Sequence, residues 1–405
     1  MVINNVNKFL KKYSKNQTIL VFVSIYWAGS LLLTCLYIAF IFLYIKWWKK
    51  LPYFQNTEGY LPTTFISVLI PARNEQDNIV QCLDAIVKGH YPKNLFEIIV
   101  IDDHSDDLTP QYVRDFAAQN ANIQLIELKN YVKLSGNQPF KKRAIEAAIG
   151  EAQGELIVTT DADCLAQANW LSLLAQFYEK TGKRFIAAPV NFHEEQSFFE
   201  RFQSLDYIGM MGVTGAGVEG KFTNMCNGAN LAYQKKLFYE VGGFKGIDHV
   251  ASGDDMLLMQ KIARFHPDAL GFLKNPEATV FTKAKETVAE FLSQRLRWAS
   301  KSSSYTEFFT VFQLASVFVY CCSIALSFCL SIFYDKIFFI LFLIQLGIKT
   351  ISDYFFLRMM TGFFNRTDLM RPFLTPQYMH ILYIIVVGSL ANFKKTYTWK
   401  GRKVS

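Results

Sequence analysis

The feature that most constrains this chain is an uncharged stretch near its N-terminus. From Thr18 to Ile45 the sequence TILVFVSIYWAGSLLLTCLYIAFIFLYI has no charged residue, and it exceeds the ~20 residues that a helix needs to cross about 30 Å of hydrocarbon. A cleaved secretory signal is the alternative, but the run is too long for one and no small-residue cleavage site follows it. We therefore predict a transmembrane helix that the mature protein keeps.

Apolar sequence returns toward the C-terminus. The stretch 308–333, the stretch 337–348 with its continuation to Leu357, and the stretch from Phe373 to Phe393 can each span a bilayer, which makes about four membrane segments in all. The composition thus divides the chain into a membrane anchor, a soluble α/β domain with regularly spaced charges, and a C-terminal membrane region with a basic tail. These three parts cover residues 1–51, 52–304 and 305–405.

The net charge of +8 is carried largely by residues beside the membrane segments, such as Lys46, Lys49, Lys50 and the tail KKTYTWKGRKVS. Lys and Arg in such flanks usually mark the cytoplasmic side, so we expect a cytoplasmic central domain and no nucleic-acid partner. Three C-terminal crossings would then leave the basic tail outside. One segment is therefore expected to be re-entrant or interfacial, first of all the one interrupted by Lys349 and Asp353.

The seven cysteines contain no C-x-x-C pair, and three of them fall in one predicted membrane segment. This pattern favours neither a disulfide framework nor a zinc site. The central domain therefore has the cysteine usage of a reduced, cytoplasmic domain.

Three short apolar runs in the central domain end in polar loops. They are FISVLIPARNE (65–75), FEIIVIDDHSDD (96–107) and GELIVTTDADC (154–164), and each is typical of a buried strand followed by a turn. A helix follows the first strand, and its predicted apolar face carries Ile79, Leu83 and Ile86. We interpret these segments as βα units with carboxylates at the carboxyl ends of parallel strands, where open α/β sheets bind ligands.

The acidic residues after the second and third of these strands indicate a divalent cation. Either cluster alone is compatible with a turn or a helix N-cap, but two clusters at one sheet edge would repel each other without a cation. Hard ions such as Mg²⁺ or Mn²⁺ prefer oxygen ligands and share them with substrate phosphates, so a nucleoside diphosphate is the expected ligand. The sequence has neither a Gly-x-x-x-x-Gly-Lys-Ser/Thr loop nor a Gly-x-Gly-x-x-Gly after a strand, which disfavours P-loop NTPases and dinucleotide enzymes.

An ordered set of motifs runs from Ile66 to Trp298, namely SVLIPARNE, VIDDHSDD, KKRAIEAA, TTDADC, NGANLAY, VGGF, SGDD and QRLRW. In this order they resemble the membrane-bound branch of glycosyltransferase family 2. The resemblance implies a GT-A fold, which is an α/β, Rossmann-like domain that binds nucleotide sugars, here with transmembrane helices on both sides. It also implies a nucleotide-sugar donor, a divalent metal and inversion at the anomeric carbon.

The resemblance assigns a first group of residues to the donor. Asp103 matches the aspartate that contacts the nucleotide base, and Pro71 and Glu75 would line the same pocket. Lys141 matches a lysine near the nucleotide. An aspartate on the base suits uracil, so the expected donor is a UDP-sugar, with guanine and other bases left open.

Four aspartates complete the implied site. Asp161 and Asp163 form the D-x-D element that holds Mg²⁺ or Mn²⁺ and the donor, with Asp163 as the direct metal ligand. Asp255 matches the catalytic base, which the acceptor hydroxyl needs to lose its proton as it attacks. The family often has Glu-Asp where this chain has Asp254 and Asp255, and Asp254 is assigned to the acceptor side. The alternative is an N-terminal cap, since Ser252 and both acids precede the helical run MLLMQKIA.

The motif QRLRW (294–298) precedes the C-terminal membrane region. Arg297 can offer a bidentate guanidinium to the diphosphate, and Trp298 can offer an apolar face to an acceptor sugar. Gln294 is one turn before both residues, so all three share a face if the stretch is helical. The alternative is an interfacial helix whose Arg and Trp lie at the headgroup level, and the two interpretations are compatible.

Two further segments have two interpretations each. Asn227 and Gly228 in NGANLAY either line the acceptor side or form a tight turn. The aromatic-rich stretch 198–211 is either part of the core or a second interfacial helix.

The predicted function is therefore that of an inverting, metal-dependent glycosyltransferase on the cytoplasmic face of a bacterial inner membrane, active in cell-envelope glycolipid or polysaccharide synthesis. A processive polysaccharide synthase must pass a polar chain through the bilayer, which requires a bundle of helices, and about four segments make a thin bundle. The expected acceptor is thus a lipid or a membrane-proximal glycan, and a processive synthase is the alternative. A non-catalytic nucleotide-sugar sensor is disfavoured because Asp161, Asp163, Asp255, Arg297 and Trp298 are all present.

Overall fold

The computed structural model describes residues 2–130, 140–248, 250, 253–300, 304–305, 307–393, 397–399 and 402–404. Its strands are β1 (Ile66–Ala72), β2 (Phe96–Asp102), β3 (Ile123–Glu127), β4 (Leu156–Thr159), β5 (Phe185–Ala187), β6 (Val190–His193), β7 (Leu231–Gln234), β8 (Leu270–Phe272), β9 (Val280–Lys283), β10 (Tyr397–Trp399) and β11 (Arg402–Val404). Its α-helices are α1 (Val2–Lys50), α2 (Ile79–Val87), α3 (Thr109–Ala117), α4 (Phe140–Glu151), α5 (Trp170–Thr181), α6 (Phe198–Gly220), α7 (Lys235–Glu240), α8 (Met256–Phe265), α9 (Val288–Ala299), α10 (Phe308–Phe333), α11 (Ile337–Phe363) and α12 (Leu374–Phe393).

The central domain is built on a seven-stranded mixed sheet of order β3-β2-β1-β4-β7-β5-β8. Strand β7 runs antiparallel to both of its neighbours, and the other adjacent strands are parallel. Strands β6 and β9 form a separate parallel pair. The α/β architecture predicted from the sequence is therefore confirmed.

The parallel strands β1, β2 and β4 are apolar because they lie inside the domain. Every residue of β2 and β4 is buried, and in β1 only Pro71 is partly exposed. Continuous apolar runs are typical of parallel strands that are covered on both faces. The predicted apolar face of α2 is also confirmed, since the buried residues of this helix are Ile79, Cys82, Leu83 and Ile86.

The register of these strands brings their carboxyl ends to one edge of the sheet. Ala72 at the end of β1 pairs with Asp102 at the end of β2, and Leu69 pairs with Thr159 at the end of β4. The loops that follow the three strands therefore meet at this edge, which is where open α/β sheets bind ligands.

Four described helices are long and apolar enough to cross a membrane, as the sequence predicted. The candidate spans are Leu20–Lys50 in α1, Phe308–Phe333 in α10, Ile337–Phe363 in α11 and Leu374–Ala391 in α12. Helix α1 packs against both α10 and α11, and these two pack against each other as a hairpin.

Helix α11 is continuous, so the re-entrant form of the prediction at Lys349 and Asp353 is wrong, while its interfacial form stays a prediction. Both side chains are buried within the helix bundle, and Lys349 Nζ lies 2.6 Å from Asp353 Oδ2. Tyr37 of α1 and Gln377 of α12 also donate hydrogen bonds to the Asp353 carboxylate. The opposite charges and their hydrogen bonds compensate each other, which lets both residues stay inside an apolar bundle.

Helix α6 joins the sheet to the membrane helices. It contacts α1 and α11 on one side and β6 and β8 on the other. Two glycines allow the close approach, since a Cβ added at Gly212 would lie 2.6 Å from Met360 Sδ and one at Gly215 would lie 2.6 Å from Trp48 Cζ3. Most of the stretch 198–211 is buried, which confirms the core interpretation of that segment.

Helix α12 lies across the bundle, although its length would allow a crossing. Near its start Gln377 bonds to Asp353, about three turns from the end of α11, and near its end Gly388 packs against Phe318, about three turns from the start of α10. These two positions have a similar depth, because α10 and α11 form a hairpin. Beyond α12, strand β10 lies against α9 of the central domain.

Candidate active site

Asp255 precedes the first residue of α8, and two backbone N–H groups hold its carboxylate. Oδ1 accepts a hydrogen bond from Met256 N–H at 2.7 Å, and Oδ2 accepts one from Gly228 N–H at 3.1 Å. The first bond is the helix cap that the sequence offered as an alternative role; the other proposed cap residue, Ser252, lies outside the described residues. The second bond comes from a separate loop, so the direction of the carboxylate is fixed from two sides.

Lys141 of α4 connects the D-x-D element to Asp254. Its ammonium lies 2.9 Å from Asp161 Oδ1 and 3.5 Å from Asp254 Oδ2. Burial by itself raises the pKa of Asp161 and lowers that of Lys141, but the attraction between the two groups outweighs burial. The pKa of Asp161 is therefore below its ordinary value and that of Lys141 is above it, so both are charged at neutral pH.

The D-x-D element offers oxygen ligands for a metal ion. Oxygens of Asp161 and Asp163 and the sulfur of Cys164 lie within 4.8 Å of one another. Burial, helped by the two nearby carboxylates, raises the pKa of the Cys164 thiol, so the sulfur stays protonated and is a poor ligand. The two carboxylates are the donors that Mg²⁺ and Mn²⁺ prefer, and the residues present thus fit the predicted ion.

The residues predicted to bind the nucleotide lie at the carboxyl ends of β1 and β2. Pro71 is the penultimate residue of β1, and buried Asp103 directly follows β2, where its N–H donates to Ala72 O at 2.8 Å. Arg73, which the sequence analysis did not single out, donates from Nη1 to the carbonyl oxygens of Asp103 and His104 at 2.7 and 2.8 Å. This side chain therefore holds the two loops together.

Glu75 is held in the same loop pair. Its N–H donates to Thr109 Oγ1 at 2.8 Å, and its carboxylate accepts a hydrogen bond from Asn78 Nδ2 at 2.9 Å. Asn74 and His104 have φ angles of +50° and +54°, a conformation that is uncommon for residues other than glycine. Such residues persist where surrounding contacts hold them, often at ligand-binding loops.

The motif QRLRW lies on helix α9, which confirms the helical spacing predicted for Gln294, Arg297 and Trp298. The charge of Arg297 contributes to the lowered pKa of Asp161. Gln294 Oε1 is buried and has no hydrogen-bond partner among the described residues. The helix therefore brings the charge of a guanidinium near the D-x-D element.

Asn227 and Gly228 connect Asp255 to the aromatic residues Tyr207 and Trp298. Asn227 Oδ1 accepts a hydrogen bond from Ala229 N–H at 2.9 Å, so the predicted tight turn is present. Its Nδ2 donates to the hydroxyl of Tyr207 on α6, whose ring centroid lies 5.9 Å from that of Trp298. The turn, α6 and α9 thus form one continuous wall beside Asp255.

Three residues of this wall escaped the sequence analysis, namely Asp206, Tyr207 and Arg295. Arg295 is part of the quoted motif QRLRW, but its neighbours in space cannot be read from that motif. Asp206 and Tyr207 lie in the stretch 198–211, whose aromatic composition was the only available signal.

Comparison with known proteins identifies the family. The chain matches the description "Glycosyl transferase family 2" over residues 67–242 and "Glycosyl transferase family group 2" over residues 156–390. The second match covers more than half of the chain. The chain therefore belongs to glycosyltransferase family 2.

Two curated relatives are also named as glycosyltransferases. Glycosyltransferase AglE of Haloferax volcanii is 26% identical over 194 residues, which are 47% of this chain and 59% of that protein. Probable glycosyltransferase YdaM of Bacillus subtilis is 26% identical over 266 residues, which are 63% of this chain and 59% of that protein. The chain thus matches less than two thirds of the length of either relative.

A solved structure has the same fold. The mannosyltransferase PcManGT from Pyrobaculum calidifontis, determined in complex with GDP-Man and Mn²⁺, superimposes with a TM-score of 0.56 over 91% of this chain and 99% of its own. The sequence identity is 19%. The predicted GT-A fold is therefore confirmed.

Proposed function

We propose that this protein is an inverting, metal-dependent glycosyltransferase that moves a hexose from a nucleotide sugar to a lipid or membrane-proximal glycan acceptor. The observation that carries the proposal is the position of Asp255. Its carboxylate is fixed by two backbone donors beside the cluster of Asp161, Lys141 and Arg297, and α9 and α6 connect this cluster to the membrane helices.

The chemical step assigned to Asp255 is general base catalysis. The carboxylate takes the proton of an acceptor hydroxyl while that oxygen forms a bond to the anomeric carbon of the donor. The bond from this carbon to the nucleoside diphosphate breaks, and its electron pair leaves on the diphosphate oxygen. Attack from the face opposite the leaving group inverts the anomeric configuration. A positioned base of this kind contributes about 10²- to 10⁴-fold in rate.

The leaving diphosphate develops negative charge, which cationic groups must stabilise. Arg297 can bind phosphate oxygens through two N–H groups, and Lys141 supplies a second positive charge near Asp161. Asp161 and Asp163 would hold Mg²⁺ or Mn²⁺, which when bound polarises the phosphate oxygens. The fit of the two carboxylates to a hard cation supports this assignment.

The donor pocket is assigned to the loops after β1 and β2. Asp103 would contact the nucleotide base, and Pro71 and Glu75 would line the pocket. The contacts of Arg73 to both loops support a preformed pocket, because they hold the loops in one arrangement before the donor arrives. A UDP-sugar is the proposed donor.

The acceptor is assigned to the side of the site that faces the membrane helices. Asn227, Gly228, Asp254, Gln294 and Trp298 would line this side. We assign the crossing of the bilayer to α1, α10 and α11, which the contacts of α12 with both α10 and α11 support. Three crossing helices are few for enclosing a water-filled path for a polymer, and this supports a lipid or membrane-proximal acceptor over processive synthesis.

The proposed location is the inner membrane of a bacterium, with the central domain in the cytoplasm. Lys46, Lys49 and Lys50 at the end of α1 support this orientation. The contact of β10 with α9 supports a basic tail on the same side, which removes the conflict with the positive-inside bias.

The test is transfer of radiolabel from a panel of nucleotide sugars in native membranes with Mg²⁺ or Mn²⁺, followed by organic extraction and sizing of the product. Membranes that carry the Asp255→Asn variant are the control. Label in a small, organic-soluble product would support the lipid acceptor. Label in a large aqueous product would indicate a polysaccharide synthase, and no transfer from any donor would contradict the proposed enzyme.

A further inference from the structure

Arg295, the second residue of QRLRW, is buried and interacts with both a carboxylate and aromatic rings. Its Nη2 lies 2.9 Å from Asp206 Oδ2, and the two side chains are only 4% and 5% exposed. Its guanidinium carbon lies 4.4 Å from the ring centroid of Trp298, over the ring. One guanidinium therefore contacts both a carboxylate of α6 and the aromatic ring assigned to the acceptor.

Asp206 is in turn held by α12. The hydroxyl of Tyr383 donates to Asp206 Oδ1 at 2.8 Å, while Arg295 binds Oδ2. His380 Nε2 lies 3.8 Å from the same Oδ1. The carboxylate is thus fixed between a central-domain helix and a C-terminal helix.

Trp298 also contacts a residue outside the group of Arg295, Asp206 and Tyr383. Its ring lies 5.9 Å from that of Tyr207, and Asn227 donates a hydrogen bond to the Tyr207 hydroxyl. The series from Tyr383 through Asp206 and Arg295 to Trp298 therefore continues to the loop that holds the catalytic base.

We propose that Arg295 is a positioning residue of the acceptor site, which sets the orientation of the Trp298 ring by contact with its face and is itself oriented by Asp206 and Tyr383. This inference rests on the proposed function, because it assumes that Trp298 binds the acceptor. It adds α12 to the acceptor site through the hydrogen bond of Tyr383 to Asp206.

The buried ion pair of Arg295 and Asp206 is better suited to orienting a neighbouring side chain than to stabilising the fold. A buried ion pair contributes little net stability compared with apolar residues of the same volume, because both charges lose their hydration. A guanidinium is, however, a rigid planar group that binds carboxylates and also packs on aromatic faces. Guanidinium contacts with aromatic rings have energies that correspond to about threefold to thirtyfold in an equilibrium constant.

The experiment is a double-mutant cycle of Arg295→Met and Trp298→Ala, measured as KM and kcat for the acceptor and KM for the donor in detergent-solubilised full-length enzyme. We expect Arg295→Met to raise the acceptor KM about threefold to thirtyfold, with the donor KM and acceptor-free donor hydrolysis unchanged. The double variant should be no worse than Trp298→Ala alone, because Arg295 acts through that ring. The inference would be overturned if the acceptor KM of the double variant rose by the product of the two single fold-changes. An unchanged acceptor KM in Arg295→Met would also overturn it.

Two further variants guard against misfolding. Arg295→Met leaves Asp206 charged and buried, so Arg295→Met combined with Asp206→Asn removes both charges, and this pair should give the same acceptor KM as Arg295→Met. A return of the acceptor KM to the wild-type value in the combined variant would also overturn the inference. Arg201→Met is the matched control, because Arg201 lies on α6, as Asp206 does, and forms a partly exposed ion pair with Asp368. This variant should leave kcat and both KM values unchanged.

The activity of the wild-type enzyme distinguishes a failure of the proposed function from a failure of the positioning role. If wild type transfers no sugar from any donor, the proposed function fails before the role of Arg295 is tested. If wild type transfers sugar and the Arg295 variants keep the wild-type acceptor KM, only the positioning role is wrong.

Discussion

The backbone N–H of Gly228 donates a hydrogen bond to Asp255 Oδ2 at 3.1 Å, which joins the loop before β7 to the start of α8. Asp255 is therefore both a helix cap and a carboxylate fixed by a second element. A cap residue has no need of the second contact, whereas a catalytic base benefits from it because its lone pairs must point at the acceptor.

Replacing Asp255 with Asn separates these two roles. Asn is about as good an N-cap as Asp, so stability and donor binding should stay unchanged, while transfer should fall about 10²- to 10⁴-fold. Initial transfer rates and equilibrium binding of the nucleotide sugar are the measurements. Asp268→Asn, which removes an exposed carboxylate paired with Lys221, is the control. Full turnover by Asp255→Asn would leave only the capping role.

Asp163→Ala should weaken donor binding only when a divalent ion is present. The carboxylate is one of the two that would hold the ion in the D-x-D element, so its loss would weaken the attachment of the ion, and with it of the diphosphate, to the protein. Donor affinity measured with Mn²⁺ and with a chelator should differ in wild type and be the same in the variant. An undiminished effect of Mn²⁺ in Asp163→Ala would place the ion elsewhere.

Lys349→Met should destabilise the helix bundle strongly. The substitution leaves the carboxylate of Asp353 without its 2.6 Å partner in a buried position, and the loss of one member of a buried pair costs about 3 to 5 kcal/mol. Thermal unfolding in detergent is the measurement. Combining Lys349→Met with Asp353→Asn should recover most of the loss, because no net charge is then buried. Equal stability of the single variant and wild type would mean that the pair is hydrated.

The ion pair between Glu195 and Arg366 should make stability fall at acid pH. Burial raises the pKa of Glu195, but the hydrogen bonds from Arg366 and Ser204 outweigh it, so the pKa lies below the ordinary value of 4.5. A lowered folded-state pKa means that the stabilisation is fully present above the unfolded value and is lost as the pH falls through the folded one.

The matching variant is Glu195→Gln, which should lower the free energy of unfolding by about 1 kcal/mol at pH 7. At low pH its free energy of unfolding should equal that of wild type. Unfolding temperatures between pH 7 and pH 3 would measure this difference. Glu194→Gln, at the exposed neighbouring position, should follow the wild-type curve. A constant difference between Glu195→Gln and wild type at all pH values would exclude the titration of Glu195 as the cause.

The C-terminal tail should lie on the same side of the membrane as the central domain. Helix α12 contacts α9, and β10 beyond it also contacts α9. Reporter fusions at the C-terminus and in the loop between α10 and α11 are the measurement, and they should report opposite sides. Reporters on the same side would mean that α12 crosses the bilayer.

The sequence could predict features that depend on neighbouring residues. Long apolar runs locate the membrane segments, because an uncharged helix of ~20 residues crosses hydrocarbon with its backbone polar groups paired. Short buried runs followed by Asp161 or Asp103 predict strands that end at a ligand edge, and the spacing of Gln294, Arg297 and Trp298 predicts one helical face. These features follow from local periodicity, and the structure agrees with each of them.

Only the tertiary structure decided where distant residues meet. Lys349 and Asp353 suggested an interrupted segment, but Tyr37 and Gln377, from α1 and α12, allow the pair to remain inside a continuous helix. The orientation of α12 across the bundle likewise depends on partners in α10, α11 and α6. The contacts that Asp353 makes with Gln377 and Tyr37 join residues 24 and 316 positions apart, and no local pattern of hydrophobicity or charge encodes them.

Arg295 is another residue whose type is given by the sequence but whose contacts depend on the tertiary structure. Its place in QRLRW did not indicate its partners, which are Asp206 on a different helix and the ring of Trp298. Residue types and spacing therefore determined the family and the fold, and they predicted the chemistry of the site. Packing decided which residues orient that chemistry, because an orientation is set by all the surfaces that contact a side chain at once.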